Sequence, residues 1–213
     1  MNLSAPTLTR IASKLAVVSL ALVTTLLAAP SATASSRVDP CIWPDTGTNL
    51  QHYFHVSTAL VVPGACTQIT AGSAWSTPIG FYNARTWEQL PVGYQPDEAT
   101  PVAELEAHLT AVRLIVDEGT RREFTVERSG QQLRWTTGDW QEVYPNDPDW
   151  VLADVGTHLT LGPLPVGTHT VRGEFYMDDY ACDGTSSDWN ISCIPPGWFE
   201  YPSTRTFTVV PQG

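Results

Sequence analysis

Acidic side chains in two turn-rich segments are the residues of this sequence best suited to chemistry. One segment contains Asn146, Asp147 and Asp149, interspersed with prolines. The other contains four aspartates in a polar stretch: Asp178, Asp179, Asp183 and Asp188. Calcium accepts carboxylate and carbonyl oxygens in a loose geometry, although neither segment has the spacing of a twelve-residue EF-hand loop. We therefore expect no bound cofactor, with calcium in one of these loops as the alternative.

A pair of carboxylates can also act as general acid and general base. This chemistry requires one member whose pKa is raised by burial. Asp147 and Asp149 stand two residues apart in a turn, where carboxylates are usually solvated. The sequence contains neither a Gly-x-Ser-x-Gly motif nor a His-Glu-x-x-His motif. We therefore expect a non-catalytic protein, and a secreted hydrolase that uses the Asp147 and Asp149 pair, with or without calcium, is the alternative.

Three histidines invite a metal or nucleophile interpretation, but their predicted positions argue against it. His52 and His55 lie in a run, 52–62, whose alternation predicts a strand, and residues three apart on a strand point to opposite faces. His169 is predicted to face inward beside Val171. Because buried polar rings usually have a partner, we expect His169 to hydrogen-bond the backbone at the preceding Gly/Pro corner.

The eight tryptophans are the most unusual feature of the composition. Trp140 and Trp150 flank the polar turn that contains Asn146, Asp147 and Asp149, and loops are the usual place for binding residues. Exposed indoles stack on sugar rings or fill a partner's pocket. We predict that these five residues form a binding patch. The alternative is that the indoles are buried in the core and under long loops.

The net charge restricts the kinds of partner. The chain has 22 acidic and 11 basic side chains, a formal charge of −11 at pH 7, and Lys14 is its only lysine. A surface of this kind repels nucleic-acid phosphates and anionic lipids. We therefore expect a neutral glycan or a protein surface as partner, and no nucleic acid. The charge can also serve solubility alone.

Residues 1–34 have the pattern of a secretory signal sequence. Two basic residues precede the apolar run Leu15–Leu27, and Ala32–Ala34 fits a small-residue cleavage site. A transmembrane anchor is disfavoured because the apolar run is short. We predict cleavage between Ala34 and Ser35, secretion to the extracellular space without a membrane anchor, and a single domain over residues 35–213.

The cysteines support an oxidising compartment. An even number of cysteines, four, follows the predicted signal sequence, which indicates two disulfides. Three pairings are open, and we favour Cys41–Cys66 with Cys182–Cys193 because each closes a loop rich in turn residues. Zinc is disfavoured because the chain has no Cys-x-x-Cys pair.

Alternation with a period of two predicts a chain built mostly of strands. In the clearest case His169, Val171 and Phe175 share one face, and a Gly/Pro corner connects this strand to Leu159–Leu161. The other predictions are a loop over 83–99, a helix that starts at Thr100-Pro101, a hairpin around Ser129-Gly130 with arms 123–127 and 132–136, and strands over 52–62, 66–72, 74–82, 112–116 and 204–210. Many short strands and one short helix predict an all-β sandwich.

Two stretches resemble bacterial secreted immunoglobulin-like proteins of unassigned function. Leu164–Val171, with Tyr176 and Phe207–Val209 beyond it, is similar to the late strands of such domains, which carry a Gly-Thr-His/Tyr-Thr-Val corner. Cys66–Ile79 is similar to a segment found together with that corner. The sequence departs from the pattern at the Asp117 turn and in the long Cys182–Cys193 excursion. The resemblance implies an immunoglobulin-like β-sandwich in an extracellular setting and no catalytic residue.

Overall fold

A computed structural model describes residues 38–139, 152–200 and 204–213. The predicted signal sequence, the Ala34–Ser35 cleavage site and the Trp140–Trp150 segment, with Asn146, Asp147 and Asp149, lie outside these ranges. The described residues are mostly β-structure. Their strands are β1 Ala59–Leu60, β2 Gln68–Thr70, β3 Trp75–Ala84, β4 Leu109–Val116, β5 Phe124–Ser129, β6 Trp135–Asp139, β7 Leu152–Leu161, β8 Gly167–Met177, β9 Ala181–Cys182, β10 Cys193–Ile194, β11 Gly197–Glu200 and β12 Arg205–Val210. Their α-helices are α1 Leu50–Tyr53, α2 Pro101–His108 and α3 Trp189–Ser192, and a 3-10 turn spans Gly130–Gln132.

The larger sheet is organised around β8, the longest strand. Its strand order is β2-β12-β8-β4-β5. One edge of β8 pairs with β4, from Leu109↔Met177 to Val116↔Val171. The other edge pairs first with β12 and then with β11, so these two short strands follow one another along β8. The sheet can therefore extend beyond β12 at the end of β8 where the Cys182–Cys193 excursion begins.

The smaller sheet has the order β1-β3-β7-β6. Its main pair is antiparallel, with β3 and β7 in register from Trp75↔Leu161 to Ala84↔Leu152. The chain reaches it from the larger sheet through the 3-10 turn after β5, because β5 pairs with β4 while β6 pairs with β7.

The inner faces of the two sheets share one apolar core. Trp75 of β3 packs against Phe207 of β12 with ring centroids 4.9 Å apart, and Phe81 meets Phe175 edge to face at 4.8 Å. On β8 the buried positions alternate as the sequence predicts, with His169, Val171 and Phe175 inside. Burying an aliphatic or aromatic side chain contributes about 1.5–3 kcal/mol, so this layer is the main source of stability.

Helix α2 forms where the sequence predicts a helix. The Thr100 hydroxyl accepts a hydrogen bond from Ala103 N at 3.2 Å, and Pro101 occupies the first turn, where its missing N–H costs nothing. Leu105 is buried in the main core, and the chain passes directly from α2 into β4 at Leu109. The helix therefore starts from the long loop 85–100 and delivers its end to the larger sheet.

The strand predicted over residues 52–62 is wrong. Residues Leu50–Tyr53 form α1 instead, because the Asn49 side chain accepts a hydrogen bond from His52 N at 3.1 Å and caps the turn. Only Ala59–Leu60 of that range is a strand. The helix places Leu50, Tyr53 and Phe54 in a small apolar cluster beside Cys41. Leu50 is three and four residues before Tyr53 and Phe54, a spacing that places all three on one side of a helical turn. The alternation of polar and apolar residues in the same stretch led to the wrong prediction of a strand.

The predicted hairpin around Ser129-Gly130 is also wrong. Its two arms form strands, β5 and β6, but they belong to different sheets and do not pair with each other. The glycine turn is present, with Gly130 at φ 52°, yet it redirects the chain between layers. The turn residues thus predict where the chain bends. They do not predict which strand each arm pairs with, because long-range packing determines that.

Two disulfides connect the cysteines in the pairing that the sequence favours, Cys41–Cys66 and Cys182–Cys193. The second joins residues that face each other in the β9–β10 pair. Disulfides of this kind are typical of an oxidising environment. In the described part of the chain, no helix is long and apolar enough to cross a membrane.

Candidate functional site

The aspartates proposed from sequence as calcium ligands are engaged separately where the structure describes them. Asp183 accepts hydrogen bonds from the Thr185 N–H and hydroxyl, and Asp188 caps α3 by accepting from Asn190 N. Asp178 contacts His108. Within the described ranges no three His, Cys, Asp or Glu residues are grouped as metal ligands. The calcium site and the Trp140–Trp150 patch, which lies outside those ranges, stay predictions.

A cavity of about 280 Å³ lies instead between the loop 85–100, helix α2 and the excursion that follows β8. We call it the acidic aromatic pocket. Its lining contains three carboxylates, three aromatic rings and a histidine: Asp97, Glu104, Asp179, Tyr94, Tyr180, Trp189 and His108. These residues come from three separate parts of the chain, so the pocket exists only in the folded protein.

Backbone hydrogen bonds fix the three segments against one another. Asp178 N donates to His108 O at 3.0 Å, which attaches the start of the excursion to the end of α2. Gln89 N donates to Gly184 O at 3.1 Å, and Ala84 N donates to Asp183 O at 2.7 Å. The Cys182–Cys193 disulfide closes the excursion at its base. The pocket is therefore held by main-chain contacts on each side.

Glu104 provides the buried carboxylate of the pocket. The residue is only 1% exposed, and its Oε1 accepts a hydrogen bond from the Tyr94 hydroxyl at 2.5 Å. Its Oε2 accepts from Glu98 N at 2.8 Å. Burial, followed by the hydrogen bond to Glu104 and the charge of that carboxylate, raises the pKa of Tyr94 well above its ordinary value. Tyr94 is therefore a neutral donor whose partner carries the negative charge.

His108 lies four residues after Glu104, on the same side of α2. Its Nδ1 donates to Asp178 Oδ1 at 3.0 Å, which fixes the orientation of the ring. Its Nε2 is 3.7 Å from Glu104 Oε1 and 3.9 Å from Asp97 Oδ2, too far for a hydrogen bond in both cases. One ring nitrogen is thus committed to structure, and the other faces the carboxylates.

The aromatic side of the pocket consists of rings that meet edge to face. Trp189 contacts Tyr94 with centroids 5.5 Å apart and Tyr180 with centroids 5.4 Å apart. The indole Nε1 donates to Val92 O at 3.3 Å, which anchors the ring. Tyr180 and Trp189 are 42% and 36% exposed, so part of each residue is accessible to a ligand.

A second groove continues from the pocket and shares Tyr180 and Trp189 with it. Its volume is about 560 Å³, and its remaining lining is Asn190, Cys193, Pro195 and Phe199. Aliphatic side chains stand nearby on the same segments, with Val92 at 91% exposure and Ile191 at 71%. Several of the exposed apolar residues therefore lie on or beside α3, which makes this face a candidate binding surface.

The predicted role of His169 is confirmed and extended. Its Nε2 donates to Pro165 O at 2.8 Å, the backbone bond expected at the corner, while its Nδ1 contacts Asp117 Oδ2 at 2.8 Å. Asp117 adopts a left-handed conformation, φ 52°, and its Oδ1 accepts from Thr170 N at 3.1 Å. The histidine is part of the core and leaves no atom for a ligand.

Of the residues that line the pocket, sequence reasoning singled out only Asp179, and as a possible calcium ligand. One signal was available, because Glu104 and His108 stand four apart on a helix that the sequence predicts. The prediction that His52 and His55 point to opposite faces is also wrong. The turn that ends α1 brings their ring centroids to 6.3 Å from each other. Both are exposed, and the described residues add no third ligand there.

Comparisons extend this picture no further: no protein-family model, no curated protein and no solved structure matches the chain.

Proposed function

We propose that this protein is a secreted, non-catalytic binding module and that the acidic aromatic pocket and its adjoining groove form its ligand surface. The observation that carries the proposal is the arrangement of Tyr94, Tyr180 and Trp189, which meet edge to face around a cavity above a buried carboxylate. Aromatic side chains of this kind provide most of the binding energy at many interfaces. Secretion is supported by the pattern of residues 1–34 and by the two disulfides.

A protein surface is the partner we favour over a neutral glycan. Sugar sites combine aromatic faces with polar groups, whereas this surface adds strongly exposed aliphatic side chains, Val92 and Ile191. Aliphatic side chains gain little from contact with hydroxyl-rich rings and gain more from burial against an apolar partner.

We further propose immunoglobulin-like connectivity for the later half of the chain. The corner connects β7 in the smaller sheet to β8 in the larger sheet, and β12 returns antiparallel beside β8. His169 makes its hydrogen bond at the position where the tyrosine of related sandwiches makes one. These features are compatible with the resemblance stated for Leu164–Val171.

The hydrolase alternative has less support in the described residues. The pocket lining includes no serine or cysteine thiol, and both oxygens of Glu104 already accept hydrogen bonds from Tyr94 and Glu98. His108 is oriented by Asp178 but has no nucleophile beside it in that lining. The Asp147 and Asp149 pair lies outside the described ranges, and its role as acid and base stays a prediction.

Screening the protein that begins at Ser35 against arrays of extracellular protein domains and of glycans tests the proposed function. We expect binding to protein, weakened about tenfold or more by Trp189→Ala and by Ile191→Ser. Trp198→Ala is the matched control. That indole is similarly exposed but lies under Arg113 and beside Tyr176, outside the pocket and groove.

Three results would overturn parts of the proposal. Binding that Trp189→Ala and Ile191→Ser leave unchanged would place the ligand surface elsewhere. Binding to glycans alone would overturn the protein partner. An absence of any ligand on both arrays would count against the module itself.

A further inference from the structure

We propose that the acidic aromatic pocket binds an alkylammonium group, the side chain of a lysine on the protein partner. This inference rests on the proposed function, because it names the chemistry that the binding module recognises. It is carried by three properties of the pocket: uncompensated negative charge, an aromatic wall, and a carboxylate whose hydrogen bonds are already made.

The pocket has an excess of negative charge and no basic side chain other than His108. Asp97, Glu104 and Asp179 line it, and no arginine or lysine is among the described residues of the lining. His108 donates to a further carboxylate, Asp178. Glu104 is stabilised by neutral donors, a phenol and a backbone N–H. A cation in this cavity would supply the missing positive charge and would be attracted by the protein's overall field.

The aromatic wall suits a cation in particular. Ammonium groups are attracted to ring faces, most strongly to tryptophan, and several rings around one cavity are the usual means of binding alkylated ammonium groups. Trp189 stands nearly perpendicular to both Tyr94 and Tyr180, with interplanar angles of 89° and 80°. The rings therefore present differently oriented surfaces to the cavity that they line.

The hydrogen bonding of Glu104 favours an ammonium group over a guanidinium. Arginine binds carboxylates best through two parallel hydrogen bonds to both oxygens. In Glu104 those oxygens already accept from Tyr94 and Glu98 N. A compact point charge needs no such pair of free oxygens, and the apolar stem of lysine can lie along the exposed faces of Tyr180 and Trp189. The adjoining groove would then contact the surface around that lysine.

The test is an NMR titration of the isotope-labelled protein, followed at the Trp189 indole N–H. The probes are the blocked amino acids Nα-acetyl-lysine methylamide, its Nε-trimethyl form and the corresponding arginine and norleucine derivatives, with free choline as a small-molecule cation. We expect both lysine probes to bind saturably and norleucine, which has a similar shape without the charge, to bind at least about tenfold more weakly.

Two variants separate charge from shape. Asp97→Asn combined with Asp179→Asn removes exposed carboxylates of the pocket, and we expect it to weaken the lysine probes about fivefold or more. Asp45→Asn is the matched control, since Asp45 is an exposed carboxylate outside the pocket and should leave binding unchanged. Trp189→Ala should abolish the binding, measured through the Trp87 indole signal in its place.

The outcomes distinguish the inference from the proposed function. Equal affinity for norleucine and lysine, or no saturable binding of any probe, would overturn the alkylammonium site, and the array results would still decide on the module. Binding of choline without binding of the lysine probes would overturn the lysine as source. Stronger binding of arginine would overturn the preference for a point charge. An array partner that depends on Trp189 but still binds after its lysines are acetylated would also overturn the inference.

Discussion

Two histidines of this protein, His169 and His108, each lie beside carboxylates in otherwise different surroundings. His169 is fully buried and makes hydrogen bonds through both ring nitrogens, with Asp117 and with the Pro165 carbonyl. The His108 side chain is 15% exposed, donates only to Asp178, and directs its second nitrogen toward carboxylates beyond hydrogen-bond distance. Residue type is therefore a poor guide to role here. Complete hydrogen bonding identifies the structural histidine, and incomplete hydrogen bonding at an open cavity identifies the candidate site.

The largest effect on stability is expected from removing the buried histidine, His169. His169→Leu leaves the Asp117 carboxylate buried with only Thr170 N and the nearby Arg122 as partners. We expect the free energy of unfolding to fall by about 3 kcal/mol, because the variant deprives a buried carboxylate of its closest hydrogen-bond partner. Urea denaturation measures this loss.

The double variant Asp117→Asn/His169→Leu provides the control. The asparagine Oδ1 can still accept from Thr170 N, and asparagine tolerates the left-handed conformation of this residue. It should therefore recover part of the stability. A loss below about 1 kcal/mol in His169→Leu, with no recovery in the double variant, would contradict the structural role.

An intermediate effect is expected at the pocket in alkaline solution. The pKa of Tyr94 is raised above its ordinary value of 10.0 in the folded protein. Above that pH the folded state keeps a proton that the unfolded state releases, so the stability from this group is complete below pH 10 and declines as pH rises further. Tyr94→Phe lacks the ionisable group and should show a shallower alkaline decline. Denaturation midpoints measured over the alkaline range test this, with Tyr176→Phe as control. An equal alkaline decline in stability for the two variants would contradict the prediction.

The smallest effect is expected at Asp183, in the disulfide-closed excursion that also contains Trp189. Burial raises the pKa of this carboxyl, and hydrogen bonds from Thr185 offset the shift only in part. The folded state therefore binds the proton more readily than the unfolded state, and stability from this group is lost as pH rises through the folded-state pKa. Asp183→Asn should raise the melting temperature slightly at neutral pH and lose that advantage in acid. Calorimetry at both pH values checks this, and a lower melting temperature at neutral pH would disprove it.

Local patterns predicted the parts of the fold that depend on neighbours in sequence. The alternation in β8 and β12, the Thr100 cap of α2 and the presence of two disulfides all follow from residues close together or from simple counting. The predictions were wrong where contacts between distant parts of the chain determine the local structure. Helix α1 is stabilised by burial beside Cys41, and β5 and β6 separate because each finds a partner in another layer.

The candidate site could not be predicted for the same reason. Tyr94 and Glu104 lie far along the chain from Tyr180 and Trp189, so no spacing rule connects them. The Tyr94 hydroxyl is 3.3 Å from Tyr180 O only because folded segments bring these residues together. The local signals were the spacing of Glu104 and His108 and the pair of aspartates that includes Asp179, and neither signal indicates which loops surround these residues.

The register of one strand pair has a consequence for the order of events during folding. Helix α2 ends where β4 begins, the excursion starts where β8 ends, and the two meet at the pair Leu109↔Met177. A slip of one residue in this pairing would move the two halves of the pocket by about 3.3 Å and would turn the inward side chains of the strand outward. Contacts between such distant parts of a chain form late, because closing long loops is slow. Ligand-binding competence should consequently arise as one of the last steps of folding, so that partly folded chains have no site to offer a partner.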